Sequence, residues 1–312
     1  VAGELSPEAG GAPDRFDLAS IGLCTLIWGT TWLGIKFQLG LVDPVASIVW
    51  RFSLAGLAVF GWTALRKQRL GLTRRQHGLA LVQGVAVFAV GYMCVYIAEQ
   101  HAPSGLVAVV YATLAVVNMA VFRLVLGQKS PMGAWVGAVL GAIGVGALSA
   151  GQILHSSLQG DLLIGVGLTF VSVLANALAN LCNRWASSSE TGNTGALVAP
   201  MTGWSMLYGS AVLGVFGLVT GVKFNPPAEL SYWLGLIYLS LAGSTAAFLL
   251  YYGLASRRGF TLASYIGAMT PLVAMAASSL FEHVHWDLSA LAGLIFIVAG
   301  QVLIIRQSRA KA

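Results

Sequence analysis

Charge is what this sequence has least of. Eleven Asp and Glu and seventeen Lys and Arg make up only 9% of its 312 residues, against roughly 25% in a typical soluble domain. So few charges cannot cover a globule of this length, which excludes a soluble enzyme, a nucleic-acid module and a secreted disulfide-stapled domain. Cysteine is scarce as well: Cys24, Cys94 and Cys182 all sit in apolar runs without redox or metal spacing, and read as small buried hydrophobes. Carboxylates are missing from the middle of every apolar run, all eleven falling in tails, loops or run ends. Proton-coupled carriers usually keep an acid at mid-membrane, so this lack points to uncoupled or exchange-type behaviour. No Ser/His/Asp set and no phosphate loop is present, so neither enzymatic activity nor a cofactor is expected. His283 and His285, with Glu282 and Asp287, are the one group of ligating types, and they read as a solvated loop rather than a metal site.

What abounds is apolar surface: 57% of residues are hydrophobic and mean hydropathy is +0.80. The apolar runs are long enough to cross a hydrocarbon core of roughly 30 Å. Ten such spans follow, at about 18–36, 44–65, 77–98, 103–126, 131–150, 160–183, 196–220, 230–254, 260–281 and 288–306. They are continuous rather than alternating, which makes them helices and excludes a barrel. Cations give an independent check, because cytoplasmic loops collect Lys and Arg. With the N-terminus inside, the inner loops and tails hold Arg15, Arg66, Lys67, Arg69, Arg74, Arg75, Arg123, Lys129, Arg184, Arg257, Arg258, Arg306, Arg309 and Lys311, and the outer side holds Lys36 and Lys223. One span too many or too few would scramble that split. The expectation is an all-α membrane protein with both termini cytoplasmic, a disordered tail over 1–17 and a basic tail over 307–312. Its partners are then the bilayer and a small-molecule substrate, with no nucleic acid and no protein partner to infer.

The halves are similar. Leu114–Gly144 and Ala268–Gly300 each read as a helix rich in small residues, a polar break and a Gly-bearing helix, with Gln128 and Glu282 at the breaks. Gly137 and Gly144 keep the seven-residue spacing of Gly293 and Gly300. Five spans per half is an odd number, so the second half, 153–306, enters the membrane inverted relative to the first, 18–152, as in secondary transporters with a midplane site. Glycines such as Gly133, Gly137 and Gly141 are expected to bring helices close without touching substrate.

Trp28-Gly29-Thr30-Thr31-Trp32, then Asp43-Pro44 and Arg51, resemble the first-helix signature of the drug/metabolite transporter superfamily, specifically its EamA-type members. The chain is most similar within it to YddG-type amino-acid exporters of bacterial inner membranes, over roughly residues 18–306. Gln128 and Val117 depart from the usual Glu and Pro, whereas Glu282 and Pro271 keep them. The resemblance implies a carrier that exports amino acids with aromatic or other apolar side chains by alternating access. Nucleosides, sugar phosphates, drugs or channel-like facilitation are the alternatives within the same architecture.

Candidate substrate contacts come from polar and aromatic side chains within spans. Ser172, Asn176, Asn180 and Asn183 form one stripe on the sixth span. Such a stripe lines a pathway or supplies interhelical hydrogen bonds, and nearness to the repeat axis assigns Asn176 and Asn180 to the lining. Phe88, Tyr92 and Tyr96 share four-residue spacing, as do Trp28 and Trp32, giving aromatic faces suited to an apolar solute with a cationic amine. Tyr111, Trp204, Tyr208, Tyr251 and Tyr265 are further aromatics of this kind, while Trp62, Trp233 and Trp286 read as interfacial anchors. Arg51 lies inside the second span, ~10 Å from its end at 1.5 Å per residue. It binds a substrate carboxylate, snorkels, or pairs with Asp43 or Glu99.

Overall fold

The computed structural model describes residues 14–128, 131–155, 159–187, 194–225, 227–258, 260–282 and 288–309, and all regular structure among them is helical. The helices are α1 (Arg15–Lys36), α2 (Pro44–Leu65), α3 (Arg74–His101), α4 (Ser104–Leu126), α5 (Met132–His155), α6 (Gln159–Ser187), α7 (Val198–Val219), α8 (Leu230–Arg258), α9 (Phe260–Phe281) and α10 (Leu288–Arg309). Seven of them, α1 to α4 and α6 to α8, are long and apolar enough to cross a membrane; α5, α9 and α10 hold shorter apolar stretches. Leu23, Leu57, Val215, Leu234 and Ile295 are among many large apolar side chains on the outside. A bundle apolar on its exterior is soluble in lipid and would aggregate in water.

Local chemistry sets several helix starts. Asp14 caps α1 through the Asp17 amide at 2.8 Å, with Asp17 closing the capping box. That amide bond, with Arg258 at 3.1 Å, holds the Asp14 carboxyl below its ordinary range. Asp43 accepts from the Val45 amide at 2.8 Å, and Pro44 occupies the first turn of α2, where a missing N–H costs nothing. Asp17 is fully buried and pairs with Arg258 at 2.7 Å, tying α1 to the end of α8.

Glycines allow the tightest helix contacts. A Cβ on Gly144 would lie 2.5 Å from the Gly293 carbonyl oxygen, and one on Gly300 would lie 2.4 Å from that of Gly137 and 2.7 Å from the Gly141 amide. Gly137 thus faces Gly300 while Gly144 faces Gly293, so α5 and α10 cross antiparallel with corresponding positions exchanged. This is the pattern of a two-fold contact between equivalent elements. α2 and α7 meet in the same manner, with Ser53 Oγ 2.5 Å from Ser210 Oγ and Gly56 against Leu207.

α3 and α8 are each interrupted by a π-helical stretch, Gly84–Gly91 and Tyr238–Ala246. Such insertions widen a turn and rotate the following face. Phe88 and Tyr92 still share a face across the end of the first of them, their rings stacked 6.2 Å apart and both against Phe52. Phe88 packs on Phe52 and Phe248, and Tyr96 is buried with its hydroxyl donating to Gln38 at 2.7 Å.

The carboxylates also differ from the sequence expectation. Glu99 lies in the last turn of α3, yet it is 0% exposed. Nearness to a span's end does not bring a side chain to water when neighbouring helices close over it. His283, His285 and Asp287 lie outside the described residues.

Candidate functional site: a central aromatic cavity

Six helices, α1, α2, α3, α4, α6 and α8, converge with α9 on a cavity of about 1120 Å³, its opening included. It is concave, mostly apolar and carries a few polar side chains, as small-molecule sites do. Trp28, Tyr92, Tyr111, Asn176, Asn180 and Arg51, all singled out from sequence, line it together. Tyr96, Trp204, Tyr208 and Tyr265 do not. Trp204 donates its indole N–H to the Leu70 carbonyl at 3.0 Å, and the Tyr208 hydroxyl meets His77 Nδ1 at 2.8 Å, so both pack against the start of α3. Tyr265 packs with Cys24 and Ile266 between α1 and α9. Spacing on one helix cannot tell which neighbour a face meets, and α7 turns Trp204 and Tyr208 away from the centre.

The aromatic walls are braced. Trp28 donates to the Gly243 carbonyl in the π-helical stretch of α8 at 3.2 Å, and its ring lies 5.4 Å from Phe248 and 5.1 Å from Tyr251. Trp32 and Tyr111 rings are 5.1 Å apart. Such pairs add roughly 0.5–1.5 kcal/mol each beyond burial. The asparagine stripe does both of the things open to it. Asn176 donates to the Tyr111 hydroxyl at 2.7 Å and Asn180 to Asn118 Oδ1 at 3.3 Å, linking α6 to α4 while both face the cavity. Asn183 donates to the Tyr252 hydroxyl at 3.2 Å.

Arg51 is the only charged side chain among the described lining residues. It is 1% exposed, its Nε donates to Ser244 Oγ at 3.1 Å, and its guanidinium lies 4.7 Å from the Tyr92 ring centre. Its Nη1 is buried without a hydrogen-bond partner among the described residues, and so is the indole N–H of Trp32. Buried donors are rarely left unmade, and both of these residues line the cavity. Trp32, Thr31, Asn118, Phe248, Tyr251, Tyr252, Thr270 and Pro271 complete the lining. Asn118 carried a signal of its own, as a lone amide in the apolar fourth span.

The sequence profile of the EamA-like transporter family matches residues 18–150 and again 163–306. Among curated relatives, the uncharacterized inner membrane transporter YedA of Escherichia coli K12 is 30% identical, covering 80% of this chain and 78% of that protein. Protein PecM of Dickeya dadantii is 23% identical over 89% and 88% of the two chains, and the uncharacterized transporter YoaV of Bacillus subtilis 21% over 88% and 92%. A crystal structure 15% identical superposes with a TM-score of 0.68 over 94% of this chain and 98% of the other, a likeness of fold.

Proposed function

The chain belongs to the EamA-like transporter family, and on that premise we propose that it exports amino acids with aromatic or other apolar side chains across the bacterial inner membrane. One observation carries this reading: the cavity joins aromatic walls to two unpartnered donors, one of them cationic, on Arg51 and Trp32. A carboxylate fits the donors, an apolar side chain fits the rings, and an ammonium fits the ring faces and the amide oxygens of Asn118 and Asn180. A single cation balances a monoanion, which argues against a sugar phosphate. The carrier works by alternating access of two inverted five-helix repeats, 18–152 and 153–306, giving ten spans with both termini cytoplasmic. The exchanged glycine contacts of α5 and α10, the paired π-helical stretches and the twofold family match support that plan.

Uptake by proteoliposomes across amino acids, nucleosides and sugar phosphates tests the substrate class, and counterflow separates a carrier from a channel. Tyr92→Ala and Asn180→Ala should each raise the half-saturating concentration by roughly tenfold through lost ring and amide contacts. The loss should differ between phenylalanine and leucine, with thermal stability near wild type. Equal transport of every solute by both variants would return these residues to packing. For topology, cysteines placed near Arg15 and at Lys223 should label from opposite sides in intact cells; labelling of both from outside would refute the orientation.

A further inference from the structure

The end of the bundle where α1 and α3 finish holds a set of charges that substrate recognition does not use. Lys36 Nζ donates to the main-chain carbonyls of Glu99 and, at 3.0 Å, Ala102, and lies 3.5 Å from Glu282 Oε1. Glu282 in turn accepts from the Ser104 amide at 3.1 and 3.2 Å, from the Ser104 hydroxyl, and from Ser278 Oγ at 2.6 Å. This tie joins α1, α3, α4 and α9. It also supplies Glu282 with the donors and the counter-ion that an ionised carboxylate needs.

Glu99 has no such bonds, although the Lys36 and Arg51 cations act on it through space. It is 0% exposed, and neither of its carboxyl oxygens has a hydrogen-bond partner among the described residues. None of the groups around it, taken element by element, makes a hydrogen bond to it. On α1, Lys36 is engaged with Glu282 and two carbonyls, and Gln38, just beyond the helix, accepts from Tyr96 of α3 through Oε1 while its Nε2 has no partner among the described residues. On α2, Arg51 gives its Nε to Ser244 and its face to Tyr92, and its unpartnered Nη1 makes no bond to Glu99. Ser104 of α4 serves Glu282, and Asp161 of α6 lies 3.3 Å from His101 at the end of α3. Burial without donors disfavours an ionised carboxylate against its protonated form.

We infer that Glu99 is a proton-binding site of the transport cycle: it is a neutral carboxylic acid while the Lys36–Glu282 tie is closed, and it releases that proton to water when this end opens. Glu99 Oε–H gives one proton to a water molecule and becomes a carboxylate that Lys36, freed from Glu282, can face; closing takes the proton back. Position links the site to the cavity, because Val95, one turn before Glu99, and Ile35, next to Lys36, both line it. The proton site rests on the carrier reading for its cycle, but not on the identity of the solute.

The full chain in lipid nanodiscs provides the test. Its infrared spectrum at neutral pH should contain the C=O stretch of a protonated carboxyl, which disappears in Glu99→Gln, shifts in Glu99→Asp and persists in Asp17→Asn. No such band in wild type, or a band unchanged in Glu99→Gln, overturns the site. Opening is read separately at Leu106, which is 1% exposed beside Ser104. Leu106→Cys in a Cys94→Ser background should react with a water-soluble maleimide up to about tenfold faster per pH unit, the limit for release of one proton. Rates are normalised to an exposed cysteine at Lys223, and Glu99→Gln should abolish the dependence. Identical pH dependence in both backgrounds overturns the linkage. Neither readout needs a transported solute, so a wrong substrate class leaves both interpretable.

Discussion

Arg51→Ala is expected to weaken binding of carboxylate-bearing solutes by about 30-fold to several thousand-fold, the range that follows from removing one partner of a buried charge pair at 2–5 kcal/mol. The residue is buried, anchored to Ser244 through Nε at 3.1 Å and stacked on Tyr92, with Nη1 left over at the cavity. The anchoring bond fixes the plane of the guanidinium, so the free edge points at one place. Arg51→Lys should recover only part of the loss, because an ammonium lacks the planar fork that meets a carboxylate with two bonds. Counterflow of phenylalanine, set against competition by phenethylamine, which has the same ring and amine but no carboxylate, separates the roles. Loss of phenylalanine binding with phenethylamine unaffected is the expected outcome. Equal losses for both, or a fall in melting temperature that accounts for the whole effect, would make Arg51 a structural link between α2 and α8.

Gly84→Leu is expected to abolish most folded protein. A Cβ at this position would sit 2.3 Å from the Ser205 carbonyl oxygen and 3.0 Å from the Gly209 amide, and one on Gly209 would sit 2.4 Å from the Gly84 carbonyl oxygen. These neighbours are backbone, so no side chain can rotate away and α3 and α7 must move apart. Overpacking costs typically 1–3 kcal/mol or more when the surroundings can yield, and here the whole contact between the halves would be displaced. Gly78→Ala is the control: nothing lies within 4 Å of its would-be Cβ on the exposed start of α3. It should gain roughly 0.5–1 kcal/mol from helix propensity. Monodisperse yield in detergent and melting temperature report both, and normal yield for Gly84→Leu would show that the helices are not in register at this contact.

Helix positions were legible because the bilayer imposes a simple code on sequence. Leaving hydrocarbon requires polar residues, so the second run, bounded by Asp43 and Arg66, reappears as Pro44–Leu65, and the ninth as Phe260–Phe281. The cavity was legible in part for the same reason. Asn176 and Asn180 on an apolar span had to face something polar, and they do, through Tyr111 and Asn118. Aromatics carry no such constraint, since a ring is at ease in lipid, in the core or against a solute. Trp204 and Tyr208 were therefore indistinguishable from Trp28 and Tyr92 until α7 was seen to pack them on His77 and Leu70.

By itself the sequence determined that this chain is a helical membrane protein of two similar halves, because hydropathy and the recurrence of motifs need no contacts to be read. Tertiary structure alone decided which side chains meet. Tyr92 and Tyr96 share four-residue spacing in the α-helical part of α3 beyond its π-helical stretch, yet Tyr92 reaches the cavity while Tyr96 meets Gln38, because different neighbours pack against each. Burial was decided there too. Glu99, Lys36 and Glu282 are far apart in sequence and each near a span's end, where water would be expected. Only the packing of neighbouring helices withdraws the solvent from Glu99, leaving it without a donor beside a Lys36–Glu282 pair that stays partly exposed.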